Sequence, residues 1–340
     1  LVAYSGAELP NKELQKLNLP MLSDYLNYDE FVDPLKFVSY SKSYFEFLVK
    51  IEKEKSLENI SFDMDFLKAI RFIDYLLPIK RVYEFVILKE LLHKEFLTIK
   101  RLNELLYKYQ KVVNSDIMFH SISFLEQDYF DSAQKKRYLK LIFFKENKIY
   151  KTKEFDGLLK DKLKRKFIEE SIHYGIVKYE KQFSIDYYGV PFFKLYQRYN
   201  MLNIAQLCNF NKIHSSFRGS GFLKYKDDFF LFITIEKDKY TKASKYKNDF
   251  LNKELFLYTS KPSHSDEKGD GLKLIQNKKY GINLHIFVRK FAQVDKKTQD
   301  FIYLGLADTY RFEGSKPINL ELKLRNKLTD NLYDEFTKVV

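Results

Sequence analysis

A lysine- and tyrosine-rich segment contains the residues best suited to bind an anionic polymer. Residues 237–261 include seven lysines. The acidic residues among them are Asp238, Asp249 and Glu254, and the tyrosines are Tyr240, Tyr246 and Tyr258. Lysines neutralise phosphates and aromatic rings stack on bases, so this combination is typical of a nucleic-acid surface. The alternative interpretation is a solvated loop beside ordinary core tyrosines.

The net charge also favours a polyanionic partner. The 340 residues contain 59 lysines and arginines against 46 aspartates and glutamates, which gives a formal charge of +13. Residues 186–340 contain 27 basic and 18 acidic residues, so they account for +9 of that charge. A compositional bias toward lysine would act on both halves alike. The asymmetry therefore indicates a basic face on the second half.

Other kinds of chemistry find little support in the sequence. A phosphate-binding loop of the Gly-x-x-x-x-Gly-Lys-Ser/Thr type is absent, and the six histidines lack metal-binding spacing. The pair Asp227-Asp228 could hold magnesium for phosphodiester cleavage, but acidic pairs are common in turns such as the one predicted here. Cys208 follows an apolar helical face and is expected to pack in the core. We therefore expect a non-enzymatic chain with no metal and no cofactor of its own.

Helices dominate the predicted structure of the first 185 residues. Apolar residues at three-and-four spacing predict helices at 66–77, 82–93, 98–110 and 115–129. Thr98 and Ser115 are the expected N-caps. Two strands around the turn 145–147 follow, and three short helices before a hairpin predict a winged-helix-like segment at 82–153. The helix at 115–129 has only acidic charges, so we expect a structural coupler rather than a reader of the DNA groove.

The pattern changes to short apolar strands after residue 186. Predicted strands lie at 222–225, 229–236, 254–259, 283–289, 301–306 and 318–324, with a helix at 201–207. We therefore predict an α+β chain with a helical domain at 1–185 and a β-rich domain at 186–340, built on a curved sheet or barrel. The longest apolar run, 229–235, is too short to span a membrane. With no signal sequence and one cysteine, a cytoplasmic location is expected.

Several short motifs resemble a known family. LPMLSDYL at 19–26, FVDP at 31–34 and SYFEFL at 43–48 resemble the region after the motor in bacterial DEAD/DEAH-type superfamily-two helicases that have a phospholipase-D-like nuclease. The second half is similar to the domain of unknown function that closes those chains. Its matching residues are Tyr199, LCNF at 207–210, GF at 221–222, FIT at 232–234, SKY at 244–246, DFL at 249–251, LHIFV at 284–288 and DFIYLG at 300–305.

This resemblance implies a coupler and a target-recognition domain of a modification-dependent (type IV) restriction enzyme used in phage defence. It implies that the second domain resembles the SET- and RING-associated fold, a curved β-barrel that flips a modified cytosine, such as 5-methylcytosine, out of the duplex. The expected partners are double-stranded DNA and the helicase and nuclease domains of the parent protein. ATP and magnesium are then expected for the motor and not for this chain.

A flipped base requires aromatic walls, an acceptor for its amino group and contacts to the flanking phosphates. The expected pocket residues are Tyr240, Tyr246 and Tyr258 as walls, Asp238 or Asp249 as acceptor, and Ser244. The lysines expected on the DNA backbone are Lys239, Lys242, Lys245, Lys247 and Lys261. The loop residues expected to fill the gap in the duplex are His214, Phe217 and Arg218. Core packing of the tyrosines stays open as an alternative.

The sequence leaves three alternatives to modified-base recognition. The chain could be a protein-interaction module of a defence or helicase complex, or a domain that holds DNA without specificity. A nuclease with an unrecognised acidic site is the third.

Overall fold

The chain forms two compact units, Leu1–Gly189 and Val190–Val340. The computed structural model describes residues 22, 41–50, 57–183, 193–210, 221–236, 248–294 and 297–338. The sequence predicts a domain boundary at 185/186, a few residues before this division. Each unit has its own hydrophobic core.

Helices and a small sheet make up the first unit. In chain order the elements are α1 (Tyr44–Lys50), α2 (Glu58–Ser61), α3 (Met64–Leu76), α4 (Tyr83–Leu91), β1 (Phe96–Thr98), α5 (Ile99–Leu106), α6 (Ser115–Leu125), α7 (Ser132–Arg137), β2 (Ile142–Lys145), β3 (Lys148–Lys151), α8 (Lys153–Leu158) and α9 (Lys162–Phe183). Helix α3 begins where the Asp63 carboxylate accepts a hydrogen bond from the Phe66 backbone N–H at 3.0 Å. Its apolar face is buried, as the three-and-four spacing predicts.

The segment α4–β1–α5–α6–β2–β3 is a winged-helix-like unit, which confirms the prediction for residues 82–153. Its three strands are antiparallel in the order β1-β3-β2. Thr98 is the N-cap of α5, as predicted. The prediction of Ser115 as the next N-cap is wrong, because the Asn114 side chain accepts from the Ile117 N–H and Ser115 is already helical.

Close packing between α4 and α9 depends on a glycine. A Cβ added at Gly175 in α9 would lie 2.4 Å from the ring of Phe85 in α4. This distance is far below van der Waals contact, so a larger residue would push the two helices apart. Helix α9 follows the short helix α8 in the chain.

A large mixed sheet dominates the second unit. Its elements are β4 (Arg198–Tyr199), α10 (Met201–Leu207), β5 (Phe222–Tyr225), β6 (Asp228–Glu236), β7 (Asp249–Phe250), β8 (Leu255–Thr259), α11 (Gly269–Ile275), β9 (Asn283–Phe291), β10 (Gln293–Val294), β11 (Lys297–Thr298), β12 (Phe301–Glu313), β13 (Asn319–Leu324) and α12 (Asp330–Thr337). The strand order is β5-β6-β9-β12-β13-β8-β7, with β4 paired to β12. Only β6 and β9 are parallel among these pairs of described strands.

The sheet curves around a single hydrophobic core. Phe222 from β5, Leu231 from β6 and Tyr258 from β8 belong to the same buried cluster, although β5 and β8 lie near opposite ends of the strand order. This curvature confirms the predicted α+β class with a curved sheet. Of the two predicted forms, a curved sheet or a barrel, the structure has the curved sheet, because the end strands β5 and β7 do not pair with each other in the described residues.

The opposite face of the sheet contains a buried polar chain. The two ring nitrogens of His285 contact the Asp228 carboxylate and the Tyr303 hydroxyl, each at 2.9 Å. Asn283 donates a further hydrogen bond to Asp228. Burial lowers the pKa of His285, so the ring is neutral near pH 7. Cys208 is also buried, and burial raises the pKa of its thiol well above the ordinary value.

None of the helices in the described parts of the chain is both long and apolar enough to cross a membrane.

Candidate functional site

A basic cleft lies where the two ends of the curved sheet approach each other. The Lys261 Nζ, two residues after β8, is 3.4 Å from the backbone oxygen of Phe222 at the start of β5. The cleft has a volume of about 970 Å³. Its lining residues are Phe210, Phe222, Leu223, Lys224, Lys261, Ser263, His264, Ser265, Lys268, Gly269, Asp270, Gly271 and Lys316. We call this site the lysine cleft, after Lys224, Lys261, Lys268 and Lys316.

Two glycines shape the loop that forms one wall of the lysine cleft. Gly269 has a φ of +66°, in the left-handed region that side chains other than glycine rarely adopt. A Cβ added at Gly271 would lie 2.1 Å from the backbone oxygen of Ser265. The loop therefore folds back on itself more tightly than any other residue at position 271 would allow.

Backbone hydrogen bonds hold this loop against the β12–β13 turn. The Lys316 N–H donates to the His264 carbonyl at 3.1 Å. Ser260 and Ile318 are linked twice, since the Ser260 N–H donates to the Ile318 carbonyl at 2.9 Å and the Ile318 N–H donates to the Ser260 hydroxyl at 3.0 Å. These bonds bring Lys316 beside lysines that are more than 40 residues away in the sequence.

The lysine cleft has a net positive charge. Its four lysines face one acidic lining residue, Asp270, which pairs with the Lys224 ammonium at 2.9 Å. Lys268 and Lys316 are exposed and form no ion pair with any described residue. The Lys261 ammonium lies 5.1 Å from the ring centroid of Phe222, and partial burial lowers its pKa. Lys268 and Lys316 are therefore the charges most readily offered to an anion.

His264 is a buried polar group at the cleft wall. Its side chain is only 7% exposed, and its ring meets Phe222 edge-on with centroids 5.0 Å apart. The Nδ1 atom has no hydrogen-bond partner among the described residues. Burial, followed by the neighbouring Lys261, lowers the pKa of His264. A neutral ring with an unused nitrogen can donate to or accept from a bound ligand, depending on its tautomer.

This arrangement is suited to binding an anion. Several ammonium groups that line one cleft can bind a phosphate, and the described residues contain no group of three side chains that could hold a metal ion. The acidic pair Asp227-Asp228 is divided by the fold. Asp228 is buried and is hydrogen-bonded to His285 and Asn283. Its carboxylate is therefore not available to bind magnesium together with Asp227.

The structure describes three of the predicted site residues and places them in three different environments. Lys261 lines the lysine cleft. Tyr258 is 5% exposed and packs in the sheet core, where burial raises the pKa of its phenol. Its ring therefore has no open face for a base, and this placement favours the core-packing alternative. Asp249 lies at the start of the end strand β7, where its carboxylate accepts from the Phe250 N–H at 2.8 Å.

The remaining predicted site residues lie outside the described residues. They are His214, Phe217 and Arg218 in the segment 211–220, and Asp238, Lys239, Tyr240, Lys242, Ser244, Lys245, Tyr246 and Lys247 in the segment 237–247. The described residues that flank these segments are informative. Phe210 and Phe222, on either side of 211–220, both line the lysine cleft. Asn248 accepts a hydrogen bond from the Thr259 N–H, two residues before Lys261.

Sequence reasoning missed several residues of this region. These are Lys224, Lys268, Lys316 and His264, all of which line the lysine cleft. The motif Gly269-Asp270-Gly271, which is typical of a tight turn, could have drawn attention to the loop. Nothing local in the sequence links that loop to Lys224 or Lys316.

Comparison with known families finds a separate matching model for each unit. A model described as domain of unknown function (DUF3427) matches residues 193–336. A second model, also described as a domain of unknown function (DUF8090), matches residues 14–182. The first of these domains occurs in helicase-associated proteins. No curated protein matches the chain.

Proposed function

We propose that this chain is the DNA-binding target-recognition and coupling part of a modification-dependent restriction helicase–nuclease. In this proposal the second unit reads a flipped, modified cytosine in double-stranded DNA. The first unit passes the signal to a motor and nuclease elsewhere in the parent protein. The lysine cleft is the observation that supports a nucleic-acid role most directly.

The cleft suits a DNA backbone because of its charge and its position. Duplex DNA has a phosphate about every 1.7 Å along its axis, and lysines that neutralise these phosphates release counterions. Lys268 and Lys316 come from two different loops but line the same cleft. A DNA strand bound in the cleft would therefore contact both lysines. The match to a domain found in helicase-associated proteins is consistent with this role.

Recognition of the base is assigned to the segment 237–247. Flipping a base costs a few kcal/mol, which stacking and hydrogen bonds to its Watson–Crick edge must offset. Tyr240 and Tyr246 are the proposed walls, and Asp238 is the proposed acceptor for the cytosine amino group. Tyr258 is omitted because it is buried in the core.

The proposal leaves the chemistry to the parent protein. The chain acts by binding, and the ATP and magnesium that the reaction requires belong to the motor and nuclease. The first unit couples the two through its packed helices. Its helix α6 exposes Ser115, Asp116 and Phe119, none of which is basic, so this helix is a poor groove reader.

The test is the affinity of the chain for identical duplexes that contain cytosine, 5-methylcytosine or 5-hydroxymethylcytosine, measured at two salt concentrations. We expect one modified duplex to bind more tightly. Tyr246→Ala should remove this preference, whereas Tyr280→Ala should preserve it, because Tyr280 is an exposed residue that does not line the cleft.

Two outcomes would reject modified-base recognition. Equal affinity for the three duplexes with a steep salt dependence would indicate a domain that holds DNA without specificity. Absence of binding at both salt concentrations would favour a protein-interaction module.

A further inference from the structure

A short part of the first unit has a strong local excess of positive charge. Residues 132–153 contain eight basic residues and one acidic residue, Glu146, for a net charge of +7 against +13 for the whole chain. The basic residues are Lys135, Lys136, Arg137, Lys140, Lys145, Lys148, Lys151 and Lys153. This segment comprises α7 and the β2–β3 hairpin, and neither has a role in the function proposed above.

The charges of α7 point to solvent. No residue of this helix is buried, and its last turn consists of Lys135, Lys136 and Arg137. None of these three forms an ion pair with a described residue. A capping box between Asp131 and Gln134 fixes the start of the helix. Three unpaired positive charges are therefore held in an ordered turn just before β2.

A row of aromatic rings crosses the outer face of the three-stranded sheet. Tyr150 in β3 is directly opposite Phe96 in β1 and Phe143 in β2. The Phe143 and Tyr150 rings are stacked with centroids 5.1 Å apart, and the Phe96 ring lies 5.7 Å from Tyr150. Phe96 and Phe143 are each 38% exposed. These three large rings therefore form a line that is partly exposed to solvent.

Lysines adjoin this aromatic row on the same face. Lys148 is two residues before Tyr150 and is opposite Lys145, so both side chains lie on the outer face. The Lys148 ammonium is 4.5 Å from the Phe96 ring centroid. The other face of the sheet, with Leu97 and Ile149, is buried in the core of the unit. We call the outer surface formed by Phe96, Phe143, Tyr150, Lys145 and Lys148 the wing face.

We propose that the wing face, together with α7, binds single-stranded nucleic acid. Unpaired bases stack on the aromatic row, and Lys145, Lys148 and the last turn of α7 contact the phosphates. Rings beside lysines are what a single strand requires, since every base has a stacking face and every nucleotide a charge. This surface lies in the first unit and does not depend on modified-base recognition.

A single strand fits this surface better than a duplex does. In a duplex the bases are already stacked on one another, so the rings of the wing face would find no partner. In a winged helix, the second helix of the helix-turn-helix pair reads the duplex. That helix is α6 here, and its exposed residues are not basic. A protein partner would have to be strongly acidic to match a charge of +7 in 22 residues. We therefore favour a nucleic acid over a protein as the ligand.

The experiment measures binding of the full chain to a labelled oligothymidylate of about 16 nucleotides and to a duplex of the same length. We expect the double variant Phe96→Leu/Phe143→Leu to bind the oligothymidylate at least tenfold more weakly, because leucine keeps the apolar volume but loses the stacking face. The matched control is Phe62→Leu, an exposed residue of the same unit away from the wing face, which should bind as the wild type does.

A second variant tests the charges without touching a buried residue. Lys135→Gln/Lys136→Gln/Arg137→Gln should lower the slope of log affinity against log salt by about 2, since each phosphate contact to a single strand contributes about 0.7. The control Lys89→Gln/Lys108→Gln/Lys166→Gln removes three exposed charges elsewhere in the unit and should leave that slope unchanged.

Three results would overturn the proposal. These are equal affinity of the Phe96→Leu/Phe143→Leu variant and the wild type, an equal loss in the Phe62→Leu control, and failure of the wild type to bind the oligothymidylate at low salt. The last would leave the wing face to a protein partner. In the wing-face variants, any preference for a modified duplex should be unchanged. Failure of the single-strand proposal is therefore distinguishable from failure of modified-base recognition.

Discussion

Removal of the two unpaired lysines from the lysine cleft should weaken DNA binding mainly through its salt dependence. Lys268 and Lys316 have no acidic partner among the described residues, so both charges are available to phosphates. Each phosphate contact contributes about 0.9 to the slope of log affinity against log salt for duplex DNA. The double variant Lys268→Gln/Lys316→Gln should therefore show a slope lower by about 1.8. Over a fourfold range of salt, this difference changes the relative affinity by roughly tenfold.

The other two cleft lysines should contribute differently. Lys224 is paired with Asp270, and its removal would leave that carboxylate facing the ligand. Lys224→Gln should therefore weaken binding by repulsion as well as by the lost contact. Lys261 is partly buried against Phe222, and its pKa is lowered, so its replacement would also disturb packing. Removal of Lys268 and Lys316 therefore measures the loss of phosphate contacts without added repulsion or disturbed packing.

The assay is fluorescence anisotropy of a labelled duplex titrated with the full chain at several salt concentrations. The control is Lys323→Gln, because Lys323 is exposed on β13 and unpaired among the described residues. Surface substitutions of this kind change stability by about 0.5 kcal/mol or less, which far-UV circular dichroism can verify. An unchanged slope in the double variant, or an equal decrease in the control, would refute a phosphate-binding role for the cleft.

Three further predictions concern stability. Asp74 is fully buried, and burial raises its pKa from 3.8 to about 6, so the native state takes up a proton that the unfolded state lacks and stability falls as the pH rises between these values. The difference between these two pKa values corresponds to about 3 kcal/mol over the whole pH range, of which about half is lost between pH 5 and pH 8, and urea unfolding at these two pH values should show that Asp74→Asn removes most of that part of the loss. Gly271→Ala must displace the loop at Ser265, so thermal unfolding should show a loss of about 1–3 kcal/mol, and the same variant should bind DNA more weakly. His285→Ala would leave the buried Asp228 carboxylate with fewer hydrogen bonds, and we expect a loss of at least about 1–3 kcal/mol in urea unfolding followed by tyrosine fluorescence, since the chain has no tryptophan.

Elements with a clear local pattern could be predicted from the sequence, whereas residues that are extended only because they pair with another strand could not. The predicted strand at 222–225 and helix at 201–207 match β5 and α10 at both ends. Strand β1 has only three residues and owes its conformation to pairing with β3, so no local pattern indicates it. Strand β12 continues to Glu313, well past the predicted end at 306, because its polar second half is stabilised by pairing with β13.

The lysine cleft shows why a functional site is harder to predict than its scaffold. Lys261 was identified from a local density of lysines, but its neighbours Lys224 and Lys316 lie 37 and 55 residues away. They come together because the sheet curves until β5 approaches the end of β8. Tyr258 shows how the fold decides between two interpretations of one residue. It lies in the same lysine-rich stretch, yet the alternation of β8 turns its side chain into the core.

In the first unit, too, a binding surface is harder to predict from the sequence than its scaffold, because the charge is unevenly distributed along the chain. Counted over residues 1–185, the net charge is only +4, with 32 basic and 28 acidic residues. Since residues 132–153 alone have a charge of +7, the rest of that half has a charge of −3. The average over a domain therefore conceals a basic segment that the fold concentrates on α7 and the wing face. A polyanion responds to charges within about a Debye length, roughly 10 Å, so the local segment decides what this unit can bind.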